Sequence, residues 1–208
     1  MEKSYFVPSQ DTSCEFIERK SKFITYLAHV TTESEAVEFI DSIRKKHADA
    51  THNCIAYRLY NPRIERFSDD GEPSGTAGMP MLEVLKKEDI YDVCVVVTRY
   101  FGGILLGAGG LVRAYAKGAA DGVASAGRAV RDMGVTFKAS FSYAGYDKIQ
   151  KLLENYSHNT VSCDFSDSVL LTLTVKQSDF DDIVKKITDI LGGNVLIEEI
   201  AREFDSFK

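Results

Sequence analysis

Apolar and polar positions alternate through EFIERKSKFITYLAHV (residues 15–30), the period of strands with one solvated face. Thr32 and Glu35 then form a capping-box pair, and Ala36, Ile40 and Ile43 recur at helical spacing as far as Lys46. HNCIAYRLY (52–60) alternates again. NPRIERFSDDGEPSGTAGMP (61–80) is so rich in Pro, Gly, Ser and Asp that it reads as one long loop, a kind that is uncommon unless it has work to do. MLEVLKKED (81–89) fits a short helix, and DVCVVVT (92–98) is a continuous β-branched run of the sort buried at the centre of a sheet. A glycine-rich segment follows directly, and LVRAYAKGAADGVASAG (111–127) is an amphipathic helix with Arg113, Lys117 and Asp121 in an i, i+4 stripe.

After residue 127 the pattern restarts. VTFKASFSY alternates as a strand, YDKIQKLLENY is helical, TVSCDF and SVLLTLTV are strands joined across Ser-Asp, SDFDDIVKKITDIL is a helix opened by a Ser/Asp cap, and GGNVLIEEIAREF closes as a strand. That order, β-α-β-β-α-β, is the ferredoxin-like split βαβ unit. The sequence therefore predicts an α+β protein of two domains, residues 1–130 and 131–208, with the boundary between 127 and 134.

Composition narrows the chemistry. A chain of 208 residues, 44% hydrophobic and 27% charged, can bury a core in each of two modest domains. The net charge of -6 excludes binding nucleic acid by bulk attraction and leaves only a local basic patch. Residues 1–130 hold 16 basic and 18 acidic side chains, and the remaining 9 and 13 fall in 131–208, so the first domain (-2) suits a polyanion better than the second (-4). Cys14, Cys54, Cys94 and Cys163 form no CxxC pair, as expected of a reduced protein. No stretch has the length of a signal core or membrane span, which predicts a soluble, cytoplasmic chain without membrane contact.

Two segments carry candidate chemistry. RYFGGILLGAGGLVRAY (99–115) runs from a strand through Gly102, Gly103, Gly107, Gly109 and Gly110 into a helix. Free backbone N–H groups at a helix start, flanked by Arg99 and Arg113 with Lys117 beyond, make an anion-binding arrangement suited to phosphate. The spacing matches neither a P-loop nor GxGxxG, and the same glycines also suit tight turns and close packing. SDDGEPSGTAG gathers Asp69, Asp70, Glu72, Ser74 and Thr76, which can hold Mg²⁺, act as acid and base on a phosphorylated or peptide-like small molecule, or simply build an Asp-Gly turn. His52 and Cys54, two apart on a strand, share a face without a second ligand pair, so neither a metal site nor a thiol nucleophile is expected. His29, His47 and His158 read as ordinary surface or boundary residues, and Arg44–Lys46 as cations completing a helix C-terminus. No catalytic residue is assigned and no cofactor is required.

Four blocks taken together, RKSKFI, ATHNCIAYRL, SDDGEPSGTAGMPML and VTRYFGGILLGAGGLVRAY, resemble in order and spacing the signature of the IMPACT/YigZ family, and the whole chain is similar to its bacterial two-domain form. Leu105 departs from the lysine common at that place. The resemblance implies a first domain with the fold of the second domain of ribosomal protein S five, including a left-handed βαβ crossover, and a ferredoxin-like second domain similar to one in elongation factor G. It also implies a role in regulation of translation, with RNA, the ribosome or a translation-related protein as partner. It places the glycine-arginine segment and the acidic loop on one surface of the first domain.

Overall fold

A computed structural model describes residues 4–207. The chain divides into two compact units, Tyr5–Ala129 and residues 130–207 with Ser4.

In the first unit, β2 (Thr12–Glu18), β3 (Ser21–His29), β4 (His52–Leu59), β5 (Ile64–Ser68) and β6 (Val93–Tyr100) form an antiparallel sheet of order β2-β3-β6-β4-β5. β6 is central and buried on both faces, as its β-branched run predicts. One face packs Phe23, Leu27, Ala56, Val95 and Val97 against α2 (Gly78–Lys87) and α3 (Ala108–Ala126). The other packs Ala28, Ile55, Tyr57 and Val96 against Ala36, Ile40 and Ile43 of α1 (Glu33–Lys46). The Thr32–Glu35 capping box opens α1 as expected, and Arg44, Lys45 and Lys46 close it.

In the second unit, β7 (Arg128–Phe141), α4 (Tyr146–Leu153), β8 (His158–Phe165), β9 (Val169–Lys176), α5 (Gln177–Ile190) and β10 (Leu196–Ser206) complete the split βαβ unit, with antiparallel sheet order β10-β7-β9-β8. Phe137, Leu171, Leu173, Ile149, Ile183 and Ile187 fill its core.

Several local expectations are corrected. The segment 61–80 is not one loop, because β5 lies inside it, paired with β4 from Ile55↔Ser68 to Leu59↔Ile64. Tyr5–Pro8, in the polar start, is a short strand, β1. β7 begins at Arg128, before the strand expected from Val135. Lys176, not a Ser/Asp pair, occupies the cap of α5, with no side-chain capping bond, while the Ser178 hydroxyl bonds to Asp179. Among the described residues no helix is long and apolar enough to cross a membrane.

Candidate functional site

The glycine segment begins where β6 ends. Gly102 lies against the two-residue turn between β2 and β3: a Cβ built on it falls 2.0 Å from the Lys20 carbonyl carbon and oxygen and 2.5 Å from Ser21 N. The turn itself is formed by Arg19 and Lys20, both at positive φ (45° and 65°), a geometry usually given to Asn-Gly. Ser21 Oγ accepts from Gly102 N–H (3.2 Å) and from Arg99 Nη2 (3.3 Å), binding turn, glycine segment and strand end together. At the far end Gly107, φ 73°, caps α3 without a side chain.

Arg99 points inward. It is 5% exposed, and its Nη1 donates to Glu72 Oε1 at 2.7 Å. Tyr115 Oη donates to the same oxygen at 2.7 Å. The register His52↔Arg99 brings His52 alongside, its Nε2 3.8 Å from Glu72 Oε2 and its Nδ1 2.8 Å from the Asp70 carbonyl oxygen. Cys54, on the same face of β4, donates Sγ–H to the Asp69 carbonyl oxygen, and burial pushes its thiol pKa up to about 12, leaving no thiolate nucleophile. Burial likewise drives the Tyr115 phenol far upward.

The carboxylates of the acidic loop diverge. Asp69 accepts from the amides of Gly75, Ala77 and Gly78, fixing the loop to the start of α2. Asp70 accepts from Asn53 N–H at 2.6 Å and pairs with Arg44 at 3.5 Å, while Glu72 faces Arg99. The Thr76 hydroxyl donates to the Pro73 carbonyl, and Ser74 is exposed. Among the described residues no three His, Cys, Asp or Glu side chains are grouped to hold a metal ion.

Of the sequence-predicted residues, His52, Glu72, Arg99 and Gly107 line one cleft and Gly110, Arg113 and Lys117 line another, and the two share Leu106. One, about 370 Å³, brings together His52, Glu72, Arg99, Phe101, Leu105 and Gly107, so the acidic loop and the glycine segment are neighbours. The other, about 240 Å³, is lined by Phe16, Glu18, Arg19, Gly110, Arg113 and Lys117. Lys117 pairs with Asp121 and lies 4.7 Å over the Phe16 ring. Among the described residues Arg19 and Arg113 have no ion-pair partner; Arg19 reaches the Leu105 carbonyl at 3.5 Å. Gly102, Gly103, Gly109, Asp69, Asp70, Ser74 and Thr76 line neither cleft, and Gly103 and Gly109 are exposed. Arg19 escaped the sequence reading because its charge fits a solvated strand; the signal was its place in a tight turn.

His47 corrects another expectation. It is 8% exposed, with Nε2 2.8 Å from Tyr26 Oη and Nδ1 2.9 Å from Tyr100 Oη, which itself donates to Asp49. Burial, helped by Lys46 and Lys22 and opposed by Asp49, lowers its pKa from the ordinary 6.5. The unfolded chain therefore takes up this proton before the folded one does, so its contribution to stability is lost as pH falls below about 6.5. His47→Gln is expected to flatten that part of a urea-midpoint profile between pH 7 and 5.

A glycine-rich strand-to-helix passage holding a basic cleft beside a buried Glu-Arg-Tyr cluster, with a split βαβ unit following in the chain, defines a two-domain α+β protein. The Impact N-terminal domain family matches residues 19–123, and a domain family of unknown function, DUF1949, matches residues 140–194. The chain belongs to the IMPACT family. It is 42% identical over 197 residues to IMPACT family member YvyE of Bacillus subtilis (strain 168), covering 94% of this chain and 91% of that one. It is 33% identical over 196 residues to IMPACT family member YigZ of Escherichia coli (strain K12), covering 93% and 96%. A crystal structure described as that of a hypothetical protein superposes with a TM-score of 0.64 at 32% identity, covering 98% of this chain and all of the other.

Proposed function

We propose that this protein is a translation-associated regulator whose first domain grips RNA phosphates in the cleft between the Arg19–Lys20 turn and the first turns of α3. The observation that carries this reading is the convergence of Arg19, Arg113 and Lys117 on one cleft, the two arginines without carboxylate partners among the described residues. Guanidinium groups held this way can each make forked contacts to a phosphate. Arg99 acts from inside, holding Ser21 and hence the turn that presents Arg19. The kinship implied with translation components supplies the cellular setting, the cytoplasm.

The experiment is co-sedimentation with ribosomes and with single-stranded RNA across salt. Three neutralised phosphates give a log–log slope near -2, so affinity for single strands falls about 20-fold between 50 and 200 mM salt. In Arg19→Ala/Arg113→Ala one contact is left, and the same change in salt costs only about threefold. Binding that ignores both salt and the double substitution overturns the phosphate reading and assigns the surface to a protein partner.

A further inference from the structure

The larger cleft has a floor that the RNA reading does not use. The Glu72 side chain is 3% exposed, and both of its short hydrogen bonds, from Arg99 and Tyr115, go to Oε1. Its Oε2 accepts no hydrogen bond among the described residues and faces the cleft opposite His52 Nε2. The tautomer of His52 follows from its other partner. A carbonyl oxygen only accepts, so Nδ1 carries the proton given to Asp70 O, and in the neutral ring Nε2 presents a lone pair. With that ring neutral, two acceptors stand 3.8 Å apart in one cavity with no donor between them.

Charge sharpens the requirement. Glu72 is the one acidic-loop carboxylate that lines this cleft, Asp69 being taken by three backbone amides and Asp70 by Asn53 N–H and Arg44. Arg99 pairs with Glu72 through Oε1 alone, so with a neutral His52 ring the second carboxylate oxygen has no cationic partner among the described residues. Cys54 and Tyr115 stay neutral, both pushed upward by burial. The cleft walls are apolar: Pro73, Phe101, Leu105, Leu106 and Leu111. Leu105 is 80% exposed and Phe101 46%, so apolar surface is uncovered at the rim. A buried pair of acceptors needs donors, an open carboxylate oxygen favours a cationic one, and apolar walls need an apolar body.

From these features we infer that the cleft binds a primary ammonium group on a short apolar stem, the N–H donors bridging Glu72 Oε2 and His52 Nε2 while the stem lies along Leu106 and Phe101. The same chemistry is offered by a free small amine and by the amino-terminal residue of a peptide. The site is separate from the arginine cleft, so its failure leaves the RNA reading standing, and the reverse.

Isothermal titration of the full chain distinguishes the sources. Isoamylamine and the tripeptide Leu-Gly-Gly are titrated beside counterparts that lack the ammonium donors, isoamyl-trimethylammonium and acetyl-Leu-Gly-Gly. A Kd in the millimolar range or tighter, the reach of so few heavy atoms, is expected for at least one of the two parents. It should weaken about tenfold in the matched counterpart and about tenfold in His52→Leu, which removes one acceptor and leaves the Arg99–Glu72–Tyr115 bonds in place. Binding of isoamylamine alone marks a small-amine site, and binding of Leu-Gly-Gly alone marks capture of a chain terminus; both support the inference. It is overturned if neither parent gives saturable heat up to about 10 mM, or if affinity survives both loss of the N–H donors and His52→Leu. Far-UV circular dichroism of His52→Leu confirms that the fold is retained.

Discussion

Glu72→Ala is expected to cost the first domain about 3–5 kcal/mol, the penalty for leaving a buried charge without its partner. Arg99 is 5% exposed, its Nε has no hydrogen-bond partner among the described residues, and it sits between the Phe23 and Phe101 rings at 5.5 Å from each centroid. Removing Glu72 strips this guanidinium of its counter-charge and the Tyr115 hydroxyl of its acceptor in one step. Tyr115→Phe removes only the hydroxyl donor and is expected to cost about 1–2 kcal/mol. Glu83→Ala, on the exposed face of α2 and paired among the described residues with Lys86 alone, is expected to stay within about 0.5 kcal/mol of the parent. Urea unfolding followed by far-UV circular dichroism checks the order. If Glu72→Ala is no more costly than Glu83→Ala, the cluster does not hold the site together, and Arg99 must be free to serve a ligand.

That cluster also shows where the sequence stops being informative. β6, α1 and the split βαβ unit are legible because each announces itself locally, by a β-branched run, a capping box or a switch of hydrophobic period. β5 is not, since IERFS lies among Pro, Gly and Asp, and its strand character comes from pairing with β4. The candidate site follows the same rule. Arg99 beside five glycines has the look of an anion contact, and nothing nearby in sequence says that its partner is Glu72, 27 residues back. Only the register of β4 on β6, His52↔Arg99, puts the acidic loop over the end of the strand. Arg113 and Lys117 were visible on their helix face, whereas Arg19 joins them through a turn 86 residues from the Leu105 carbonyl it touches. His47 follows the same logic, its two tyrosine partners arriving from β3 and the end of β6.

Gly102→Ala should be the most damaging single-methyl change in the glycine segment, costing about 3 kcal/mol or more through overpacking against backbone. Its Cβ would lie 2.0 Å from the Lys20 carbonyl, and a main-chain contact of that kind cannot be relieved by a rotamer change. The turn it strikes has little room to yield. Arg19 and Lys20 already hold positive φ, the pairing Glu18↔Ser21 closes the hairpin directly beneath them, and Ser21 Oγ is held by both Gly102 N–H and Arg99. Two neighbours separate the causes. Gly103, at φ 82° with nothing within 4 Å of a Cβ, is expected to lose about 1 kcal/mol as alanine, from backbone conformation alone. Gly109, whose Cβ would meet only the flexible end of Arg113 at 3.6 Å, is expected to tolerate alanine in the first turn of α3. Urea midpoints rank the three, and amide exchange at residues 18–22 reports whether the turn has opened. A Gly102→Ala protein that is folded but exchanges fast there should also lose RNA affinity, because Arg19 is no longer presented beside Arg113. If Gly102→Ala costs no more than Gly103→Ala and leaves the turn protected, the close approach is not what fixes Arg19, and the basic cleft must be held by α3 alone.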